Sequence, residues 1–242
     1  MTPFGQKQVI HKLIALSSFW GPLQRILGIK SYPTAWSWLH KIRRAMVRPG
    51  RDRLSGAVEV DEIYLGGHEE GVSGRETEKK ALVVIAAQID GKGTGRIRMK
   101  HIPDASAATL TAFTQEAVEP SSVIHTDGWE GYAGLEDIGY RHKAKILRGN
   151  KKKAHELMPR VHRVASPLKR WILGTHQGGV NNAHLEYYLD EFTFRFNRRT
   201  SQYRGKLFHR LLQQAVRTAP APYAVLNKHV HRGSPRRKPG HG

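Results

Sequence analysis

Two aspartates, one within and one at the end of a β-rich run, lie far apart in the chain. Asp61 sits in Val58-Glu59-Val60-Asp61-Glu62, and Asp127 closes Val123-Ile124-His125-Thr126-Asp127-Gly128. Carboxylates on two neighbouring strands suit metal-assisted phosphoryl transfer. Their hard oxygens can bridge two divalent cations about 3.5–4 Å apart, one activating the attacking oxygen and the other stabilising the leaving one. Each acid also has a plainer reading: Asp127-Gly128 as a turn, and Asp61 as a solvent-facing residue of an alternating strand. A third ligand is expected from a following helix, with His162 and Glu156 as candidates. Lys169 follows His162 by seven residues and would share its helix face, able to hold a phosphate, if the helix is continuous. Ser166 and Pro167 read instead as the cap and first residue of a new helix, which would take His162 off the Lys169 face. His162 alone also reads as a surface histidine, and Glu156, after Lys151-Lys152-Lys153, as a solvated charge pair. Strand alternation puts Glu59 on the Asp61 face and Glu62 on the other, so Glu59 can back the ligands without being one.

Positioning these acids takes a sheet, and the turn chemistry supplies one. Ala57–Leu65 is β-rich and ends at Gly66-Gly67; Lys80–Asp90 is an apolar run ending in Asp90-Gly91; Gly95–Ile102 alternates. The three read as a meander. A helix is expected over Ala105–Val118 with Asp104 as its cap, then a strand Ser122–Thr126, a short helix around Tyr132–Ile138 and a fifth strand near His142–Leu147. The order β-β-β-α-β-α-β followed by helices predicts an α/β, RNase H-like fold, a mixed five-stranded sheet flanked by helices. In such a sheet the first and fourth strands are neighbours, which would bring Asp61 and Asp127 together.

Ahead of this lies a small helix-turn-helix pattern. Leu23–Ile29 precedes a Gly-containing turn, and a second helix from Tyr32 carries Ala35, Trp38, Leu39 and Ile42 at inward spacing, with Arg43 and Arg44 near its end. The expected organisation is a partial helix-turn-helix segment at 1–50, a catalytic domain at 54–217 and a basic, disordered tail at 218–242. In the run Glu186–Phe196 aromatics recur at helical spacing, as core packing of a late helix with structural acids.

Charge names the partner class. Against 20 Asp+Glu the 242-residue chain carries 40 Lys+Arg, a net charge of +20, which calls for a polyanion. Residues 1–56 hold ten Lys/Arg and one acid, 141–170 eleven and one, and 192–242 twelve and none, so the acids concentrate between basic flanks. Arg43, Arg44, Lys151, Lys152, Lys153, Lys169, Arg170, Arg198 and Arg199 are the expected phosphate contacts, with Asn197, Arg204 and Lys206 beside them. There is no Cys, which excludes disulfides, Cys-type zinc sites and thiol nucleophiles, and the longest apolar stretch near the start is too short and too interrupted to span a membrane.

Several motifs in order carry a resemblance. Val58-Glu59-Val60-Asp61-Glu62-Ile63-Tyr64-Leu65-Gly66-Gly67, His125-Thr126-Asp127-Gly128-Trp129-Glu130-Gly131-Tyr132, Leu168-Lys169-Arg170-Trp171 with Gly174-Thr175-His176, and Tyr188–Arg199 closely resemble the ISXO-like transposases of bacterial insertion sequences, over roughly Leu23 to Val216. The resemblance implies a DDE-type transposase with an RNase H-like catalytic domain, cutting at inverted-repeat ends and joining the 3′-hydroxyls to target DNA. Asp61 and Asp127 align with the first two catalytic acids, Lys169 with the downstream basic residue, and His162 where other members carry Glu or Asn, giving an Asp-Asp-His triad. It further implies two divalent ions, Mg²⁺ or Mn²⁺, double-stranded DNA at element ends and target, a homodimer or higher oligomer on DNA, and a place on the bacterial nucleoid in the cytoplasm without a membrane. Because Mn²⁺ takes imidazole more readily than Mg²⁺ does, stronger activity in Mn²⁺ is expected. The family usually begins with a Cys-rich zinc ribbon, which is missing here. Beside the enzyme stand two other readings: a truncated, inactive DNA-binding remnant, and a nuclease for RNA–DNA hybrids.

Overall fold

In the computed structural model residues 24–25, 28–47, 50–66, 80–145, 154–176 and 182–228 are described. In chain order the elements are helix α1 (Tyr32–Met46), strands β1 (Ala57–Leu65), β2 (Ala81–Asp90) and β3 (Gly93–Ile102), helix α2 (Ala107–Ala117), strand β4 (Val123–Thr126), a 3-10 helix (Glu130–Leu135) and strand β5 (Arg141–Ala144). Helices α3 (Ala154–Leu157), α4 (Pro159–His176), α5 (Asn182–Phe196), α6 (Arg204–Ala215) and α7 (Tyr223–Lys228) follow. Two compact units divide them: one holds the described residues of 1–47, 181–188 and 202–242, the other those of 48–180 and 189–201.

The second unit is built on one sheet with strand order β3-β2-β1-β4-β5, antiparallel across β1, β2 and β3 and parallel across β1, β4 and β5. This is the RNase H-like arrangement. β2 lies inside it, and its apolar run Ala81–Ala87 is buried throughout, as expected of a strand covered on both faces. Gly91, at φ 51°, takes the left-handed conformation in the two-residue turn from β2 to β3.

Each face of the sheet has its own cover. Val58, Val60, Val84 and Ala86 pack with Leu110 and Phe113 of α2 and with Tyr132, Leu135 and Tyr140. Helix α4 covers the other face, against β1, β2 and β3, and buries Val161, Val164, Ala165, Leu168 and Ile172 at helical spacing. Full burial of each of the larger ones stabilises by about 1.5–3 kcal/mol. That explains a departure from the sequence reading. Pro167 does not start a new helix at Ser166; it lies inside a continuous α4. A proline there costs about 3 kcal/mol, and the apolar stripe on either side of it outweighs that cost.

Other boundaries move less. Helix α2 is capped by Ser106, whose hydroxyl accepts from the Thr109 N–H, rather than by Asp104. Asp104 instead accepts from the Ser106 N–H and the Thr109 hydroxyl, and hydrogen bonding by the Ser106 side chain first, then by its N–H and by Thr109, holds its carboxyl below the usual range. The expected helix at Tyr132–Ile138 is a 3-10 helix beginning at Glu130, and the fifth strand is Arg141–Ala144.

Strand β3 is an edge, and a side chain closes it. The Asn197 Oδ1 accepts from the Ile97 N–H at 2.7 Å while its Nδ2 donates to the Ile97 carbonyl at 3.1 Å, so one amide pairs with β3 as a neighbouring strand would. Arg199 donates to the carbonyls of Thr94, Gly95 and Phe196 and stacks on the Phe196 ring.

In the first unit α1 packs with α6 and α7. Trp36, His40 and His184 form an aromatic cluster, with the Trp36 and His40 rings 4.2 Å apart. Trp38, read as inward, is 52% exposed, because Ser37, His40 and Arg43 share the buried face with Ala35 and Leu39. The earlier helix of the helix-turn-helix pattern lies outside the described residues apart from Gln24 and Arg25. The segment after Val216 is not irregular as expected: Ala221 and Leu226 are buried and α7 is helical, while residues beyond 228 lie outside the description.

Candidate active site

Strand register brings the two aspartates together. β1 and β4 pair in parallel with Ala57 opposite Val123, Val58 opposite Ile124 and Glu59 opposite His125. Carried two residues further, that register would set Asp61, on the α4 face of β1 with Glu59, opposite Asp127, on strands that run about 4.8 Å apart. Both residues are half-buried. Asp61 Oδ1 accepts from the Glu62 N–H at 2.8 Å. Asp127, one residue past the end of β4, accepts from the Trp129 N–H at 3.0 Å through Oδ1, and Gly128 takes φ 86°. The turn reading and the ligand reading of Asp127 are thus compatible: one carboxylate oxygen holds the turn. Trp129 is pinned in turn by its indole N–H on the Ala105 carbonyl at 3.0 Å.

Negative charge converges here. The buried Tyr132 hydroxyl donates to Glu62 Oε2 at 2.8 Å, and its pKa is pushed well above the ordinary tyrosine range by burial first, then by the charges of Glu62, Asp61 and Asp127. Carboxylate oxygens are hard donors of the kind Mg²⁺ and Mn²⁺ prefer, so Asp61 and Asp127, both half-buried, fit a divalent cation by their chemistry.

Glu59 does something the sequence did not reveal. It is fully buried on the Asp61 face. Its Oε2 accepts from the backbone N–H groups of Arg160 at 2.7 Å and Val161 at 3.2 Å, the first free donors of α4. Oε1 faces Lys145 Nζ at 3.8 Å and Arg160 Nη1 at 3.7 Å. Helix α4 has no acid in its own first turn, and β1 supplies one from across the core. The available signal was the pairing of an acid in an apolar strand with a helix lacking an N-terminal acid.

The profile of the ISXO2-like transposase domain matches residues 53–197, more than half of the chain. The chain belongs to this family. Among solved structures, the crystal structure of a pre-cleavage Mos1 transpososome is similar at 14% sequence identity and a TM-score of 0.33, over 76% of this chain and 64% of that one. This chain therefore spans just under two thirds of that chain, and at such a score the likeness adds no weight to the strand order itself. Curated protein sequences give no match.

The remaining expected residues of this ISXO2-like transposase domain fall into groups. His162 lies half-buried in the first turns of the continuous α4, and Lys169 and Arg170 are exposed further along it. Glu156 is exposed in α3. Among the described residues no three His, Asp or Glu side chains are gathered closely enough to hold a metal ion. Arg198 and Arg199 serve the protein itself, Arg198 on the Phe194 ring and carbonyl and Arg199 on β3. Outside the matched segment, Arg44 is half-buried, while Arg43 is fully buried with its guanidinium 4.6 Å over the Tyr188 ring, which corrects its reading as a phosphate contact. Lys151, Lys152 and Lys153 lie outside the described residues. The aromatics of α5 are core, as expected: Tyr188, Phe192 and Phe194 are buried, and Glu191 pairs with Arg195 at 2.8 Å. Among the described residues no helix is long and apolar enough to cross a membrane.

Proposed function

We propose that this chain is a DDE-type insertion-sequence transposase that cleaves DNA at inverted-repeat ends and transfers the strands into target DNA. One observation supports the reading: in an RNase H-like sheet of a transposase-domain family member, the parallel β1–β4 register, continued two residues, would bring Asp61 opposite Asp127. Asp61 and Asp127 would hold the divalent cations, with His162 as the proposed third ligand. Such ions, Mg²⁺ or Mn²⁺, supply activation of the attacking oxygen and charge neutralisation at the leaving one.

The chain's own residues do the positioning. β1 carries Asp61, and the turn just past β4, in which Asp127 Oδ1 accepts from the Trp129 N–H, would keep the Asp127 carboxylate at the strand end. Lys169 and Arg170, exposed on α4, are proposed to hold backbone phosphates near the cut, with Arg44 and Lys151–Lys153 as further contacts. A dimer or higher oligomer on DNA follows from acting on two element ends. The 54–217 catalytic boundary and a nucleoid location belong to the same reading.

The test is cleavage and strand transfer on a labelled duplex carrying the DNA that flanks the chain's own reading frame, in Mg²⁺ and in Mn²⁺. Asp61→Asn and Asp127→Asn are each expected to lower the rate by about 10³-fold, some 4 kcal/mol of lost transition-state stabilisation, with duplex affinity unchanged. Lys169→Ala is expected to weaken binding and to flatten its salt dependence by about one phosphate contact. Binding without cleavage in either metal would overturn the enzyme and leave the DNA-binding remnant; cleavage confined to RNA–DNA hybrids would identify a different nuclease.

A further inference from the structure

We infer that Glu59 is a positioning residue: by capping α4 from inside the sheet it sets where that helix, and with it His162 and Lys169, lies relative to the strand that carries Asp61. The functional half of this inference rests on the transposase reading above. The structural half rests on the contacts alone.

Those contacts are directional. A fully buried carboxylate is stable only if its oxygens are met, and here Oε2 takes two consecutive backbone N–H groups, of Arg160 and Val161, from the one end of α4 where donors have no partner within the helix. A charged acceptor on a helix N-terminus gains from both the hydrogen bonds and the helix dipole. Lys145 closes the arrangement: its Nζ donates to the Leu157 carbonyl at 2.9 Å, just before α4 begins, and lies 3.8 Å from Glu59 Oε1. Arg160 extends it by donating to the Gly91 carbonyl at 2.9 Å in the β2–β3 turn. The start of α4 is therefore tied to β1, to the chain after β5 and to the β2–β3 turn. Glu59 is the one member of this set that lies within a central strand, two residues before Asp61 and on the same face. The apolar stripe of α4 fixes which side of the helix is buried, but such a stripe tolerates sliding along the sheet. Two hydrogen bonds to a rigid strand do not.

The experiment compares wild type with Glu59→Ala and Glu59→Gln. Glutamine keeps an oxygen that can accept both N–H groups, so it serves as the variant expected to fold should alanine prove too disruptive. In the metal-free, DNA-free full chain, hydrogen exchange is read at the Arg160 and Val161 amides and at the buried amides of β2. Glu59→Ala is expected to lose about tenfold or more of the protection at Arg160 and Val161 while β2 is unchanged, and Glu59→Gln to keep most of it. Unchanged protection in both variants overturns the inference whatever the enzyme does. On the labelled duplex, Glu59→Ala is expected to slow single-turnover strand transfer by up to about 100-fold at unchanged duplex affinity, with glutamine restoring the rate to within a few-fold. Lost protection with an undiminished rate overturns the functional half, and so does a glutamine variant as slow as alanine despite normal protection. A wild type that never cuts defeats the transposase reading, whereas the exchange result still decides whether Glu59 sets α4.

Discussion

Replacing Asn197 by alanine removes both hydrogen bonds that close the free edge of β3. Ile97, whose backbone they satisfy, is fully buried. Its N–H would be left without an acceptor, at a cost of about 1–3 kcal/mol, and its carbonyl would lose a further bond worth about 1 kcal/mol. The sum, about 2–4 kcal/mol, is a large share of the 5–15 kcal/mol that holds a typical domain folded. Aspartate at the same position keeps the acceptor for the Ile97 N–H but sets a second oxygen against the Ile97 carbonyl, so Asn197→Asp should fall between wild type and alanine. Equilibrium urea unfolding of the metal-free chain, read from the shift in midpoint at constant slope, measures both. The reasoning is refuted if alanine costs less than about 0.5 kcal/mol, the level of an ordinary surface change, or if aspartate is worse than alanine.

Two further outcomes follow from packing and charge. A Cβ at Gly131 would lie 2.8 Å from each of the Ala105 carbonyl oxygen, Leu110 Cδ1 and Trp129 Nε1, so Gly131→Ala should destabilise by about 1–3 kcal/mol and loosen the turn that holds Asp127. Thermal unfolding checks the first effect, and a Trp fluorescence change at Trp129 in a variant lacking the other four tryptophans checks the second. Burial holds the pKa values of His101 and His142 below the ordinary histidine value of 6.5. A depressed folded-state value means that the unfolded chain binds protons more readily. Their contribution to stability is therefore complete above about pH 6.5 and lost as the pH falls through the folded-state values. Urea midpoints should drop between pH 7.5 and pH 5.5, and less so in His142→Gln; a midpoint that rises on acidification counts against this.

The sheet was legible because its signals are local. Alternation in β3, the apolar run of β2 and the glycines after Leu65 and Asp90 mark β1, β2 and β3, and Asp61 within β1 and Asp127 just past β4 stand where the pattern puts them. What escaped depends on partners distant in sequence. Asn197 looks like a phosphate ligand beside two arginines, and its pairing with Ile97 comes from an edge that only the folded sheet creates. Pro167 reads as a helix start until the burial of Leu168 and Ile172 is known. Arg43 and Trp38 exchange their expected sides because a buried guanidinium finds an aromatic face in Tyr188, a solution no periodicity encodes. Glu59 was placed on the right face, but its partner is the backbone of a helix, which carries no residue-type signature at all.

The β1–β4 register also gives the site a place in time. β1, β2 and β3 follow one another in sequence, β2 and β3 through a two-residue turn, and can pair soon after they are made. Asp61 nevertheless remains a solitary carboxylate until β4, far downstream, closes a long loop and docks in parallel. A slip of one residue in that late step would take Asp127 out of line with Asp61. Maturation of the proposed centre is thus coupled to a late, long-range pairing of the sheet, so nascent, arrested or mispaired chains carry the acids but not the blade.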